Sequence, residues 1–168
     1  MATPASFDVT STVDLQEVDN ALNQARKEVA QRYDLKGART EIAFNPAEKT
    51  LVLTAEDRMQ VEALWDIVQT RLVRRGVPVK NFRPGEIQPA AGGAMRRAIE
   101  LQQGIPAEVA REIVKFLKDQ KLKKVQAAIQ GDTVRISSPS KDELQGVIAL
   151  LKQQDFGVEL KFGNFRSN

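Results

Sequence analysis

Chemistry in this chain is concentrated in two runs of basic residues. From Arg111 to Lys124 there are six Lys or Arg (Arg111, Lys115, Lys118, Lys121, Lys123 and Lys124) against two acids, Glu112 and Asp119. From Arg71 to Arg83 there are five (Arg71, Arg74, Arg75, Lys80 and Arg83) and no acid. Cations at this density neutralise phosphate oxygens, so the chemistry they suit is the binding of a phosphorylated or polyanionic ligand. A simpler reading is that both runs decorate helix C-termini, where cations complement the macrodipole. That effect fades within about one turn, and Lys121, Lys123, Lys80 and Arg83 lie beyond it.

Other chemistries are removed by what is missing. The chain has no His and no Cys, which excludes imidazole base catalysis, thiol chemistry, disulfides and Cys/His zinc sites. There is no GxxxxGK[ST] phosphate loop, no GxGxxG after a strand and no GxSxG elbow. Carboxylates are plentiful, but no pair is placed by its local context in a cleft, and solvated helix faces account for them. The expectation is a binding protein, not an enzyme, with no cofactor.

Composition fits a folded domain or two: 168 residues, 42% hydrophobic and 28% charged. Aromatics are 5%, so the core must be mostly aliphatic. Net charge is +3, a mild bias toward anionic partners. The N-terminal MATPASFDVT lacks the basic start and apolar run of a secretory signal. No apolar run approaches the ~18 residues needed to span a bilayer. No membrane partner and a cytoplasmic location are expected.

The elements that must position the basic residues follow from periodicity. Ser6 to Ser11 alternates as a strand. Asp14 and Glu17 have capping-box spacing, with Glu17 reaching back. Leu15, Val18, Leu22, Ala25, Val29 and Tyr33 then stripe a helix that ends near Lys36-Gly37. Ala38 to Phe44 and Leu51 to Thr54 read as paired strands. Asp57 caps a second helix with Val61, Leu64, Trp65, Val68 and Leu72 inward, and Val77 to Phe82 reads as a short strand. Residues 84–93 carry two Pro and three Gly and read as a linker.

After the linker the order recurs. Ala94 to Gln103 is a strand, and Gly104-Ile105-Pro106 opens a helix striped by Val109, Ile113, Phe116 and Leu117. The turn Lys121 to Lys124 leads to a hairpin. Val125, Ala127 and Ile129 alternate on one arm, Val134 and Ile136 on the other, around Gln130-Gly131-Asp132. Ser140 and Glu143 cap a last helix, and Val158 to Phe165 is the last strand.

The order strand, helix, strand, strand, helix, strand therefore occurs twice. An ungapped shift of 83 residues lays Leu53-Thr54 on Ile136-Ser137, Arg58 on Lys141, Val61 on Leu144 and Asn81-Phe82-Arg83 on Asn164-Phe165-Arg166. The predicted fold class is α+β, two ferredoxin-like βαββαβ units (1–83 and 94–168), each an antiparallel sheet with helices on one face. Phe82, Phe162 and Phe165 are expected to pack the sheets. The aromatics that stack bases in an RNA recognition motif are absent from Leu51 to Leu53 and Val134 to Ile136.

The segments Ser6-Phe7-Asp8-Val9, Tyr33-Asp34-Leu35-Lys36-Gly37, Gln103-Gly104-Ile105, Lys121-Leu122-Lys123, Ile129-Gln130-Gly131 and Asn164-Phe165-Arg166 together resemble the bacterial YajQ family. The resemblance covers nearly the whole chain. Tyr33 and Leu35 stand where the family commonly has Phe, and Gln102 where Lys is common. The resemblance implies two ferredoxin-like units whose N-terminal strands are exchanged, so that 6–11 completes the second sheet and 94–103 the first. It implies a small cytosolic nucleotide-binding protein. Some relatives are taken as receptors for a cyclic dinucleotide, and RNA binding is suggested for others.

On this reading phosphates meet Lys36, Arg83, Lys121, Lys123 and Arg166, with Phe7 and Asp8 beside them near a cleft between the units. Two alternatives stay open: an RNA-binding protein, and a module that docks a protein partner in transcription or signalling.

Overall fold

Four helices and eight strands follow one another in the computed structural model, which describes residues 4–167. The first three residues of the stretch read above for a secretory signal lie outside them. In chain order the elements are β1 (Ala5–Thr10), α1 (Leu15–Gln31), β2 (Glu41–Asn45), β3 (Thr50–Ala55), α2 (Arg58–Arg74), β4 (Phe82–Pro89), β5 (Met95–Leu101), α3 (Ala107–Asp119), β6 (Gln126–Gln130), β7 (Thr133–Ser138), α4 (Lys141–Lys152) and β8 (Lys161–Arg166).

Local chemistry sets the helix starts. Asp14 accepts from the Gln16 amide at 3.0 Å, Asp57 from Gln60 at 2.8 Å and Ser140 from Glu143 at 3.3 Å. Each satisfies amides that the helix leaves without a partner. The capping box at α1 is only half made. Glu17 does not reach back, because Arg75 of α2 holds its carboxylate at 2.9 Å. α1 also stops earlier than its stripe suggests. Gln31 is its last residue and Arg32 is extended. Tyr33, on the apolar face by spacing, is 98% exposed in the turn beyond the helix.

Two compact units result, one spanning Val13–Gln102 and the other joining the chain up to Thr12 to the chain from Gln103. The first holds the sheet β2-β3-β5-β4, the second the sheet β6-β7-β1-β8. All neighbouring strands are antiparallel. β1 thus sits in the middle of the sheet built by the C-terminal half, and β5 in the middle of the other. This is the strand exchange that the resemblance implies.

Residues 84–93 are not a linker. Pro84 to Pro89 form all of β4 but its first two residues, paired to β5 from Pro84↔Ile99 to Pro89↔Met95. Gly92 and Gly93, both at positive φ, turn the chain between them. The Pro residues are tolerated because β4 is an edge strand, where a missing N–H donor costs nothing on the outer side. Val77 to Phe82 is not a strand either: Val79–Asn81 is a short 3₁₀ turn, and the strand starts at Phe82.

Each sheet buries one face under two helices. In the 13–102 unit, Val18, Leu22, Ala25 and Val29 of α1 and Leu64, Trp65, Val68 and Leu72 of α2 cover Leu51, Leu53 and Ile99. In the other unit, Val109, Ile113 and Leu117 of α3 and Leu144, Val147 and Leu151 of α4 cover Phe7, Val9, Val134 and Ile136.

The duplication is real, but the Asn-Phe-Arg match does not mark it. Leu51 opposes Ile99 and Val134 opposes Val9, which keeps the shift of 83 in the second strand of each hairpin. In the last strands Pro84 opposes Ile99 while Phe162 opposes Val9, a shift of only 78. The cause is helix length: α2 has 17 residues and α4 has 12. Both last strands then break register at one equivalent place, between Pro84 and Ile87 and between Gly163 and Arg166. Asn81 is fully buried before its strand, whereas Asn164 sits in this bulge at φ 53°.

Because β1 is central to its sheet, residues 94–168 alone should not fold, whereas 13–102 carries a whole sheet and both its helices. The 13–102 fragment is expected to show cooperative urea unfolding with dispersed amide spectra, and the 94–168 fragment neither. Gly104, at φ 80°, leaves no room for a Cβ, which would lie 2.8 Å from the Asp132 Cβ. Gly104→Ala should cost roughly 2 kcal/mol in urea unfolding.

Candidate anion-binding site

Six residues separate α3 from β6, and four of them, Lys121 to Lys124, make the basic turn. Lys121 and Lys124 adopt φ of 54° and 64°, a region uncommon for side chains other than Gly, Asn and Asp. With these two residues the chain reverses in a few positions. Leu122 tucks inward while Lys121, Lys123 and Lys124 stay exposed. Leu122 lines a depression of about 480 Å³ between α3 and β6, together with Val114, Leu117, Val125, Ala127, Gln126 and Lys118. The floor is aliphatic, Lys118 is at the rim, and Lys121 and Lys123 flank it in sequence. No acidic side chain lines it.

The 13–102 unit repeats the arrangement with one change. There the depression lies between the end of α1 and β2, encloses about 490 Å³ and is lined by Leu35 and Gly37. Lys36 stands between those two and is exposed. Arg26 lines it from the late part of α1, where Val114 stands in α3. Its guanidinium donates to the Ile42 carbonyl from Nε at 3.1 Å and Nη2 at 2.6 Å. One depression is therefore crossed by a fixed cation and the other has an open apolar floor.

The second basic run has a different role from the first. Arg71 pairs with Glu28 at 2.8 Å and Arg75 with Glu17 at 2.9 Å. Both bind α2 to α1. In sequence these arginines look available because their partners lie far back in the chain. Arg83 is exposed on β4 and opposes Glu100 across the ladder to β5.

Phe7 and Asp8 point to opposite faces of β1. Phe7 is fully buried, its ring 6.0 Å from Phe162 and 5.9 Å from Phe165. Its side chain is taken up by the core. Asp8 lies on the helix-free face and ties three strands together. Arg135 of β7 donates from Nε to Oδ1 at 2.9 Å, and Asn164 of β8 from Nδ2 to Oδ2 at 2.7 Å. The Arg135 hydrogen bond holds the Asp8 carboxyl below its ordinary range, against the opposing effect of burial, and the charge of Arg166 adds to it. Lys121 and Lys123 share one turn, and Asp8 and Arg166 share one sheet face. Lys36 and Arg83 belong to the other compact unit.

Arg135, Arg26 and Val114 carry no sequence signal of their own, and Asn164 is legible only through the Asn-Phe-Arg match, since their roles depend on strand order and helix packing. Among the described residues no three carboxylates gather as a metal site, and no helix is long and apolar enough to cross a membrane.

The Asp8 carboxyl is more acidic folded than unfolded, so its contribution to stability is complete above the ordinary Asp pKa of about 3.9. It is lost as pH falls through the lowered folded value. Asp8→Asn should lower the melting temperature at neutral pH, and that deficit should shrink below about pH 4. Melting curves of both proteins between about pH 7 and pH 2.5 check this.

Comparison with known proteins gives a consistent result. The family described as Nucleotide-binding protein YajQ-like matches residues 5–166. A nucleotide-binding protein of Koribacter versatilis is 50% identical over 163 residues, covering 97% of this chain and 98% of its own. Nucleotide-binding proteins of Solibacter usitatus and Elusimicrobium minutum are 47% and 44% identical, covering 97% and 96% of this chain and 98% of each relative.

Proposed function

Because this chain belongs to the YajQ-like family, we propose that it binds a nucleotide in the cytoplasm without transforming it. The base rests on the aliphatic floor between α3 and β6, and phosphates meet Lys121 and Lys123. The observation that carries this is the conjunction of an apolar depression with lysines for which no ion pair with an acid is seen among the described residues. Its volume of about 480 Å³ lies within the span of small-molecule sites. The relatives' names say that they bind nucleotides. The absence of His and Cys supports binding without turnover.

A cyclic dinucleotide suits the turn best, since its two phosphates match two lysines flanking one apolar side chain. Lys36, beside the equivalent depression, is a weaker candidate, because Arg26 already crosses that floor. Arg166 acts at longer range within its own unit, and Arg83 adds positive charge to the other.

A second reading is favoured by the exposed series Arg111, Lys115 and Lys118 on α3. Its spacing of four and three puts all three on one side of the helix, leading into the Lys121 turn. Such a stripe suits an extended backbone such as that of RNA. RNA is read there by charge alone, as the helix-free sheet face carries no base-stacking aromatic at Arg135 or Asp8.

Lys121→Ala with Lys123→Ala should weaken binding roughly 10- to 100-fold and flatten its salt dependence. Calorimetric titration with mononucleotides, cyclic dinucleotides and a structured RNA checks this. Arg71→Ala, which removes an ion pair between helices, should leave affinity unchanged. Affinity and salt slope that survive the double substitution would overturn the proposal. Loss of RNA binding alone on Lys115→Ala would favour the second reading.

A further inference from the structure

The two four-stranded sheets present four edges, and the described residues guard three of them. At β2, the Arg26 guanidinium occupies the Ile42 carbonyl from Nε and Nη2. β4 carries Pro84, Pro89 and a break in register. β8 carries Lys161, Arg166 and the equivalent break. Charges, prolines and bulges are the devices that keep an edge from pairing with a foreign strand.

β6 has none of them. Its sequence is Gln126-Ala127-Ala128-Ile129-Gln130, with no charge, no Pro and no Gly. Its ladder to β7 runs without interruption from Gln126↔Ser137 to Gln130↔Thr133, and β7 is its one partner in the sheet. All but Ala127 are exposed, Ile129 by 45%. The two-residue turn Gly131-Asp132 makes Gln130 and Thr133 the closing hydrogen-bonded pair. Backbone groups then alternate along the strand, so Gln126, Ala128 and Gln130 bond to β7 and those of Ala127 and Ile129 point outward.

We infer that β6 is a self-pairing edge, joined antiparallel to β6 of a second copy of this chain about a two-fold axis at Ala128. The sequence is complementary to itself in that register alone. Ala127 faces Ile129 of the second copy, so the outward N–H and C=O groups of both residues bond in reciprocal pairs. The large exposed Ile129 meets the small Ala127, and Gln126 meets Gln130. Beyond the strand, exposed Lys124 of one copy comes opposite exposed Asp132 of the other, and the axis repeats this pair. A slip of two residues either way puts Lys124 opposite Gln130 or Val134 and loses both charge pairs. An exposed pair contributes little attraction, so the charges select the register while backbone hydrogen bonds and Ile129 hold it. The contact is isologous and closes at two copies. One strand pair is a small interface, so assembly is reversible.

The experiment uses the full chain without nucleotide, since Ala127 also lines the depression beside α3. In sedimentation from about 10 μM to about 1 mM, the mass should rise from one chain toward two. Ile129→Lys should keep it at one chain throughout, with an unchanged circular dichroism spectrum. The chain lacks Cys, so an introduced thiol reports the register. Ala128→Cys, opposite its own copy at about 4.5 Å between Cα atoms, should cross-link on mild oxidation. Gln126→Cys, opposite Gln130, should cross-link at least several-fold less. A single chain at every concentration, a dimer indifferent to Ile129→Lys, growth beyond two copies, or equal cross-linking of both thiols would each overturn the proposal.

Discussion

The structure depends on the placement of β1 between β7 and β8. A strand in the middle of a sheet has both sets of backbone groups paired and both faces in use. Phe7 and Val9 supply core to the helices on one side. On the other, Asp8 joins Arg135 of β7 to Asn164 of β8. Removing such a strand leaves open hydrogen-bond edges and an uncovered core, so the six-residue segment at the start of the chain completes a unit otherwise built from its far end. β5 holds the same position in the other sheet.

Within this repeated frame the halves diverge at a few positions, and those positions set their chemistry. Arg26 and Val114 occupy comparable places above equivalent depressions. Arg26 ties the helix to the edge of β2 and puts a charge over the floor. Val114 leaves the floor apolar and the β6 edge open. Duplication provides two depressions of similar size, and one difference at the helix–strand seam gives one a charged floor and the other an apolar floor.

The basic residues show how far sequence can carry a site. Both runs were legible as charge density, and the turn Lys121 to Lys124 retains that character in the fold. The run from Arg71 to Arg83 retains it only in part, because Arg71 and Arg75 are committed to Glu28 and Glu17. Those partners lie in α1, and only the packing of α1 on α2 brings them within reach. Phe7 and Asp8 likewise belong to the core and to a three-strand tie, since alternation along β1 sends them to opposite faces.

The sequence by itself determined the element order, the helix caps at Asp14, Asp57 and Ser140, the apolar stripes and the duplication. All of these depend on contacts within a few residues or on periodicity, which the chain carries locally. Strand exchange was known from resemblance and not from pattern, because alternation says which face is buried but not which sheet receives it. Only the tertiary structure decided that 84–89 is an edge strand despite its prolines, since an edge needs donors on one side alone. It also decided where α1 stops and that the Asn-Phe-Arg match is out of register by the five residues by which α2 exceeds α4 in length. The basic turn divides on the same terms: its charge is written in the sequence, and the apolar depression beside it exists only where α3 meets β6.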